Sequence, residues 1–370
     1  MKEYTIDELV TVAKRENNLK RPYLYVNPIQ GKHIPVTPHK ALALFKCMGN
    51  ILQEKYPYEQ ILVIGFAETA TAVGAGISRF ANNVRWCMQT TREKYEDAEY
   101  LYFTESHSHA TEQSLIINQL EMVLKLADRV VFAEDEVTTG NTIFKLICSI
   151  RENYPDIKVK YTILSILNSM SNYRINELQA EKIDCLYVDK IPFEYKINSI
   201  DQYSYLENDN AIYQKKTIIE PHSVCSMNLR YVHECQDYHN AVDKYVECIL
   251  SKCDLSIYNK ILVLGTEEFM FPPLMVANKI EENFPEKEIR FHATTRSPIL
   301  VSEADSYPLT KRNKLISFYD ENRVTYVYNL QDYDLAIVLS DSKHVSPKAV
   351  EVLLGALNRA GCDEAIFGKG

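Results

Sequence analysis

Apolar and polar positions along the chain follow two periods that alternate. Residues 60–65, 84–90, 130–133, 159–167 and 184–188 are short apolar, β-branched or aromatic runs with few charges. Such runs are the mark of strands buried inside a parallel sheet. Between them the spacing turns helical. Thr37 followed by Pro38 is a helix start, with Thr as cap and Pro in the first turn, and Ala41, Leu44, Phe45 and Met48 carry one face onward to about residue 54. Residues 66–74 lead into a helix that runs to about residue 80, residues 115–126 and the stretch from Ile143 onward also read as helices, and residues 6–15 as a short amphipathic helix covering the domain. Strand and helix in turn predict an α/β fold, a parallel sheet flanked by helices.

The alternation then begins again. Residues 191–226 are polar and irregular, as a domain junction is, and residues 232–250 have helical spacing. Tyr258-Asn-Lys-Ile-Leu-Val-Leu-Gly265 echoes Tyr58-Glu-Gln-Ile-Leu-Val-Ile-Gly65, with Glu268 following where Glu68 did. Ala293-Thr-Thr-Arg296 echoes Gln89-Thr-Thr-Arg92, and Leu335-Ala-Ile-Val-Leu-Ser-Asp341 takes the place of the run through Phe132. Ordered matches of this kind point to a duplicated architecture. The predicted domains are 1–200, a linker at 201–226, and a second, degenerate α/β domain at 227–370.

The chemistry concentrates in Arg129-Val-Val-Phe-Ala-Glu-Asp-Glu-Val-Thr-Thr-Gly-Asn-Thr142. A buried strand leads through acids to a tight glycine loop and a helix start, the ingredients of an anion site. Amides of the first helical turn point outward, Gly140 lets the backbone come close, and Thr138, Thr139 and Thr142 add hydroxyls. Glu134 and Asp135 would repel a phosphate but can accept hydrogen bonds from sugar hydroxyls. Phosphate on the loop and a diol on the acids together describe a ribose 5-phosphate.

This stretch resembles the phosphoribosyl-diphosphate (PRPP) motif of type I phosphoribosyltransferases, from which it departs at Glu136 and Asn141. The resemblance implies a Rossmann-like sheet and a pentosyl transfer. It puts the diol on Glu134 and Asp135 and the 5′-phosphate on Val137, Thr138, Thr139, Gly140, Asn141 and Thr142. It also implies that Ala67, Glu68 and Thr69 face the pyrophosphate. Glu68 needs a cation between itself and a diphosphate, so Mg²⁺ is implied, with Glu134 and Asp135 as candidate ligands through PRPP. Arg92, at the carboxyl end of a strand, suits the departing diphosphate. Lys32 and His33 are expected in a hood over the site, and His107 and His109 in a flap that closes on it. Residues 168–171 follow the next strand, where such enzymes hold the base. The run His292-Ala-Thr-Thr-Arg-Ser-Pro298 is similar to the TRSP domain of proteins from tellurite-resistance-associated (Ter) gene clusters, and Arg296 in it is a candidate to complete the site.

Composition narrows the rest. A net charge of -9 without a strongly basic run argues against a nucleic-acid partner. No apolar run reaches membrane-spanning length, and nine cysteines without Cys-x-x-Cys suit a reducing, cytoplasmic setting. The expected activity is Mg²⁺-dependent transfer of phosphoribose from PRPP to a nitrogen base or similar small-molecule acceptor, or its reverse. A catalytically silent PRPP or nucleotide sensor, or a scaffold for other Ter-cluster products, is the alternative. A homodimer or a pseudo-dimer within one chain is compatible with the duplication.

Overall fold

The computed structural model describes residues 3–19, 21–103, 113–192, 195–206, 218–223, 227–362 and 364–369. Two compact units emerge, neither of them one continuous stretch. The first gathers Met1–Ile6, Ala43–Tyr195 and Met227–Ala241, and the second Asp7–Leu42, Lys196–Ser226 and Val242–Gly370. The expected boundaries at 200 and 226 are therefore crossed both ways, by an early segment that joins the second unit and a late one that returns to the first.

In the first unit a six-stranded sheet runs in the order His233–Glu234, Val84–Gln89, Ile61–Gly65, Arg129–Val137, Lys160–Asn168, Ile183–Lys190 among the described residues. All pair in parallel except His233–Glu234, which lies antiparallel on Val84–Gln89. Parallel neighbours need crossovers, and the helices Thr71–Phe80, Leu120–Leu126, Asn141–Asn153 and Asn172–Ala180 lie in them. Val63, Ile64, Val130, Val131, Phe132, Ile163 and Leu164 are wholly buried. Each such side chain contributes about 1.5–3 kcal/mol relative to exposure, which is why these positions are apolar. The helix Thr71–Phe80 begins with small residues for a steric reason. A Cβ on Gly74 would stand 2.7 Å from the Gly65 Cα, so helix and strand touch backbone to backbone.

The second unit holds a five-stranded sheet, ordered Ile218–Ser223, Glu364–Lys369, Leu335–Ser340, Lys260–Gly265, Glu288–Ala293, with parallel pairing throughout. Read from the other edge, Glu288–Ala293, Lys260–Gly265, Leu335–Ser340 and Glu364–Lys369 repeat the order of Val84–Gln89, Ile61–Gly65, Arg129–Val137 and Lys160–Asn168. The repetition extends to hairpins. Tyr100–Tyr102 pairs antiparallel with Ser114–Ile116 in the first unit, and Arg312–Ile316 with Val324–Tyr328 in the second.

Three expected helices are shorter than their periodicity indicates. Residues 6–15 split into a single turn, Ile6–Leu9, and a strand, Thr11–Lys14, paired with Tyr23–Val26. There Ala13, Leu24 and Val26 join a second-unit core with Ile299, Val301, Leu309 and Tyr328, so burial outweighs helical spacing. Residues 115–126 yield a strand, Ser114–Ile116, before the helix Leu120–Leu126. In residues 232–250, His233–Glu234 adds to the sheet edge and the helix starts at Cys235.

Candidate functional site

The site is built around Arg129–Val137, which stays extended through all three acids and ends four residues beyond the expected strand. Its register puts Glu134 beside Ser165, Glu136 beside Leu167 and Val137 beside Asn168. Gly140 then turns the chain with φ 67°, a left-handed conformation that costs a side-chain-bearing residue energy. It serves as the N-cap of the helix Asn141–Asn153, and no side chain caps that helix. Amide groups of a first helical turn have no intrahelical acceptor, so this end is open to an anion. Thr139, Asn141 and Thr142 are exposed around it and Thr138 is half-buried. One local bond competes: the Asn141 amide donates to Thr139 Oγ1 at a long 3.3 Å.

The loop is held from behind. The Ser169 amide donates to the Val137 carbonyl at 2.9 Å, and the Met170 amide to Asn168 Oδ1 at 2.9 Å. A Cβ placed on Gly140 would lie 3.3 Å from the Met170 sulfur. Residues 168–170, expected near the base, are buried and pack under the Gly140 loop.

The acids come next. Glu134 is half-buried as a residue, but its Oε2 is fully enclosed and has no hydrogen-bond partner among the described residues. Burial pushes its carboxyl well above the ordinary carboxylate range, and the charges of Asp135 and Glu136 push it further; Arg92 acts against them. Arg92 follows the Val84–Gln89 strand. Asp135 and Glu136 are half-buried beside it.

The third component is the turn after Ile61–Gly65. Thr90 ties it to the neighbouring strand: its amide donates to the Gly65 carbonyl at 2.9 Å, and its Oγ1 accepts from the Ala67 amide at 2.8 Å. Gln113 Nε2 donates to the Ala67 carbonyl at 2.7 Å, and Thr71 Oγ1 to the Glu68 carbonyl at 3.4 Å. The peptide between Ala67 and Glu68 is cis. Ala67 and Glu68 are buried and Thr69 is half-buried. Thr90 and Gln113 were not singled out by sequence; Thr90 had a signal, as the first hydroxyl of the repeated Thr-Thr-Arg.

His107 and His109 fall outside the described residues. Lys32 and His33, expected in a hood, belong to the second unit. Lys32 is buried, its Nζ donating to the carbonyls of Glu267 at 2.7 Å and Thr294 at 2.9 Å. His33 is also buried, with its ring 6.5 Å from that of Tyr328. A buried ammonium needs oxygens around it, and two carbonyls at strand ends supply them.

Arg296 is likewise engaged within its own unit. Its Nε is 2.7 Å from Glu267 Oε2, Arg323 Nη1 is 3.1 Å from the same oxygen, and Glu268 lies 3.7 Å from Arg296 Nη2. The backbone logic of the first site is reproduced there: Thr294 Oγ1 accepts from the Glu267 amide at 3.0 Å, as Thr90 does from Ala67. In register, Ser340 and Asp341 stand where Glu134 and Asp135 do, because Gly265 pairs with Leu339 as Gly65 pairs with Ala133. The helix start is different. The helix Pro347–Arg359 is capped by its own Ser346, whose hydroxyl accepts from the Ala349 amide, and Pro347 removes another donor. The second unit thus keeps the backbone frame of the turn, but its helix start is capped by its own side chain.

Among the described residues no three His, Cys, Asp or Glu side chains gather as a metal cage. Carboxylate oxygens with an unsatisfied Glu134 Oε2 nevertheless suit Mg²⁺, which is commonly held by one or two carboxylates together with substrate phosphates. No helix of the described residues is long and apolar enough to cross a membrane.

Residues 9–188 match the family model described as phosphoribosyl transferase, and residues 231–357 match the TRSP domain, which lies C-terminal to it. No curated protein matches the chain. Similar solved structures include adenine phosphoribosyltransferase from Rhodothermus marinus, with 13% identity and a TM-score of 0.34 over 50% of this chain and 96% of that one. Adenine phosphoribosyl transferase from Trypanosoma brucei, in complex with AMP, pyrophosphate and ribose-5-phosphate, is 12% identical with a TM-score of 0.34, over 49% and 76%. Orotate phosphoribosyltransferase from Aeropyrum pernix is 14% identical with a TM-score of 0.27, over 41% and 72%.

Proposed function

From a chain that joins a phosphoribosyl transferase domain to a TRSP domain, we propose a PRPP-dependent enzyme that transfers phosphoribose to a nitrogen base or similar small acceptor. The observation that carries this reading is one continuous stretch, in which an enclosed, unpartnered carboxyl oxygen on Glu134 leads within a few residues to an uncapped helix start. A ribose 5-phosphate has a hydroxyl for the first and a phosphoryl group for the second.

In the reaction the bond from the anomeric carbon to the pyrophosphate oxygen breaks, and a bond to the acceptor nitrogen forms. The nitrogen gives up its proton to solvent, and pyrophosphate leaves with the electron pair of the broken bond. Positioning and charge stabilisation are the chain's share. The amides after Gly140, with Thr138, Thr139 and Thr142, fix the 5′-phosphate. Glu134 and Asp135 hold the diol and place negative charge near the cationic sugar of the transition state. Arg92 and the Ala67–Thr69 turn face the leaving group. Glu134 and Asp135 would be the residues to hold Mg²⁺, whose charge would offset that of the diphosphate. The segment with His107 and His109 is proposed to exclude water, and a Ter-associated nucleotide or stress pathway is the proposed setting.

The test is calorimetric titration of the full chain with PRPP and Mg²⁺, followed by pyrophosphate release with a panel of bases and with cell extract. Saturable binding with release supports the enzyme. Binding without release from any acceptor points to a sensor, and absence of binding refutes both readings.

A further inference from the structure

We infer that Arg174 is a positioning residue for the phosphate loop, holding it in the conformation that leaves the amides after Gly140 open. The inference rests on the reading of that loop as the ribose 5-phosphate seat. Arg174 lies in the first turn of the helix Asn172–Ala180, which is set by the Ser171 cap: its hydroxyl accepts from the Arg174 amide at 3.1 Å. From there the guanidinium reaches the loop across more than thirty residues of chain. Nε donates to the Thr139 carbonyl at 3.0 Å, and Nη2 to Asn141 Oδ1 at 3.1 Å. The third nitrogen, Nη1, is 3.2 Å from Glu177 Oε2, and the guanidinium carbon is 5.3 Å from the centre of the Phe144 ring.

The geometry grips the loop on both sides of Gly140. Thr139 precedes the left-handed residue and Asn141 follows it, so one rigid fork fixes the two ends of the turn. Asn141 is the first helical residue, and a side chain there can fold back on nearby amides. Drawn to Arg174, its carbonyl oxygen is occupied away from the helix start. The guanidinium also sets positive charge beside a loop that comes directly after Glu134, Asp135 and Glu136. A lysine has one ammonium in place of a planar fork and can engage only one of the two oxygens well.

Arg174→Ala should raise the KM for PRPP about tenfold, the scale of one charge-assisted hydrogen bond, with kcat changed less than about threefold and the acceptor KM unmoved. Arg174→Lys should recover part of that loss. Because Asn141 is held through Arg174, Asn141→Ala should cost much less in the Arg174→Ala background than in wild type. Hydrogen exchange of amides 141–143 without ligand should accelerate in Arg174→Ala, and this readout does not depend on the substrate. Unchanged exchange, or strictly additive single and double variants, overturns the inference. Faster exchange in a protein that binds no PRPP leaves the positioning role standing and refutes the function instead.

Discussion

Replacing Glu134 with Gln separates what its carboxyl costs the free protein from what it gives the complex. In the folded chain this carboxyl ionises well above its ordinary value of 4.5, from burial first and then from Asp135 and Glu136. From pH 4.5 upward the unfolded chain has released a proton that the folded chain still holds. Stability contributed by this group is thus fully present at acid pH. It falls as pH rises through that window, by at most about 1.4 kcal/mol per unit, and levels off above the folded value. Gln has no proton to lose. Wild type and Glu134→Gln should therefore be similar in stability near pH 4, and the variant should gain progressively toward pH 8. The gain comes from removing the ionisable group, since the Gln amide is left as unpartnered as the acid, and it accrues at no more than about 1.4 kcal/mol per pH unit. Binding should change in the opposite sense. A sugar hydroxyl bonded to a carboxylate is worth about 1.5–3 kcal/mol, so the variant should bind PRPP about 10- to 100-fold more weakly. Urea melts at pH 4, 6 and 8 and calorimetry at pH 7 and 8 measure both effects. Because the diol favours the ionised acid, wild type should also release protons on binding, visible as a heat that varies with buffer ionisation enthalpy. A variant no more stable at pH 8 than wild type, or equal PRPP affinity in the two, refutes the reasoning.

Three further outcomes are expected. Gly140→Ala forces a Cβ into a left-handed turn at φ 67° and should cost about 1–2 kcal/mol of stability, with a raised KM for PRPP; thermal melts and kinetics check it. Gly74→Ala places a Cβ 2.7 Å from the Gly65 Cα, backbone that cannot step aside. Overpacking of this kind costs about 1–3 kcal/mol or more, to be read in a urea titration as a lower midpoint. Glu267→Gln leaves Arg296 and Arg323 without the carboxylate they share. Breaking a buried pair costs about 3–5 kcal/mol, and limited proteolysis should show it as faster cleavage in the second unit.

Much of the local architecture was legible because its causes are local. Apolar runs of strand length, helical spacing between them and Gly140 beside three threonines act over a few residues, so strand, loop and helix start could be read without the rest of the chain. The duplication was legible for the same reason, since Gly65 and Gly265, or Arg92 and Arg296, recur in matching local frames. Residues 6–15 and 115–126 mark the limit. Each has helical spacing, yet part of each pairs as a strand because a distant partner buries it: Tyr23–Val26 in one case and Tyr100–Tyr102 in the other.

What only the tertiary structure decided are the terms that depend on distant neighbours. Lys32 went to the carbonyls of Glu267 and Thr294, more than two hundred residues away. Residues 227–241 went to the first unit and 7–42 to the second. No local pattern records such choices, because a buried charge is settled by whichever oxygens or counter-ions surround it after folding. Glu134 shows the division within a single residue. Its place before the threonine loop is a property of the sequence, whereas its enclosed, unpartnered oxygen and raised carboxyl exist only once the sheet closes around it. The guanidinium of Arg174 reaches Thr139 and Asn141 only because the following strand and helix fold back beside the loop.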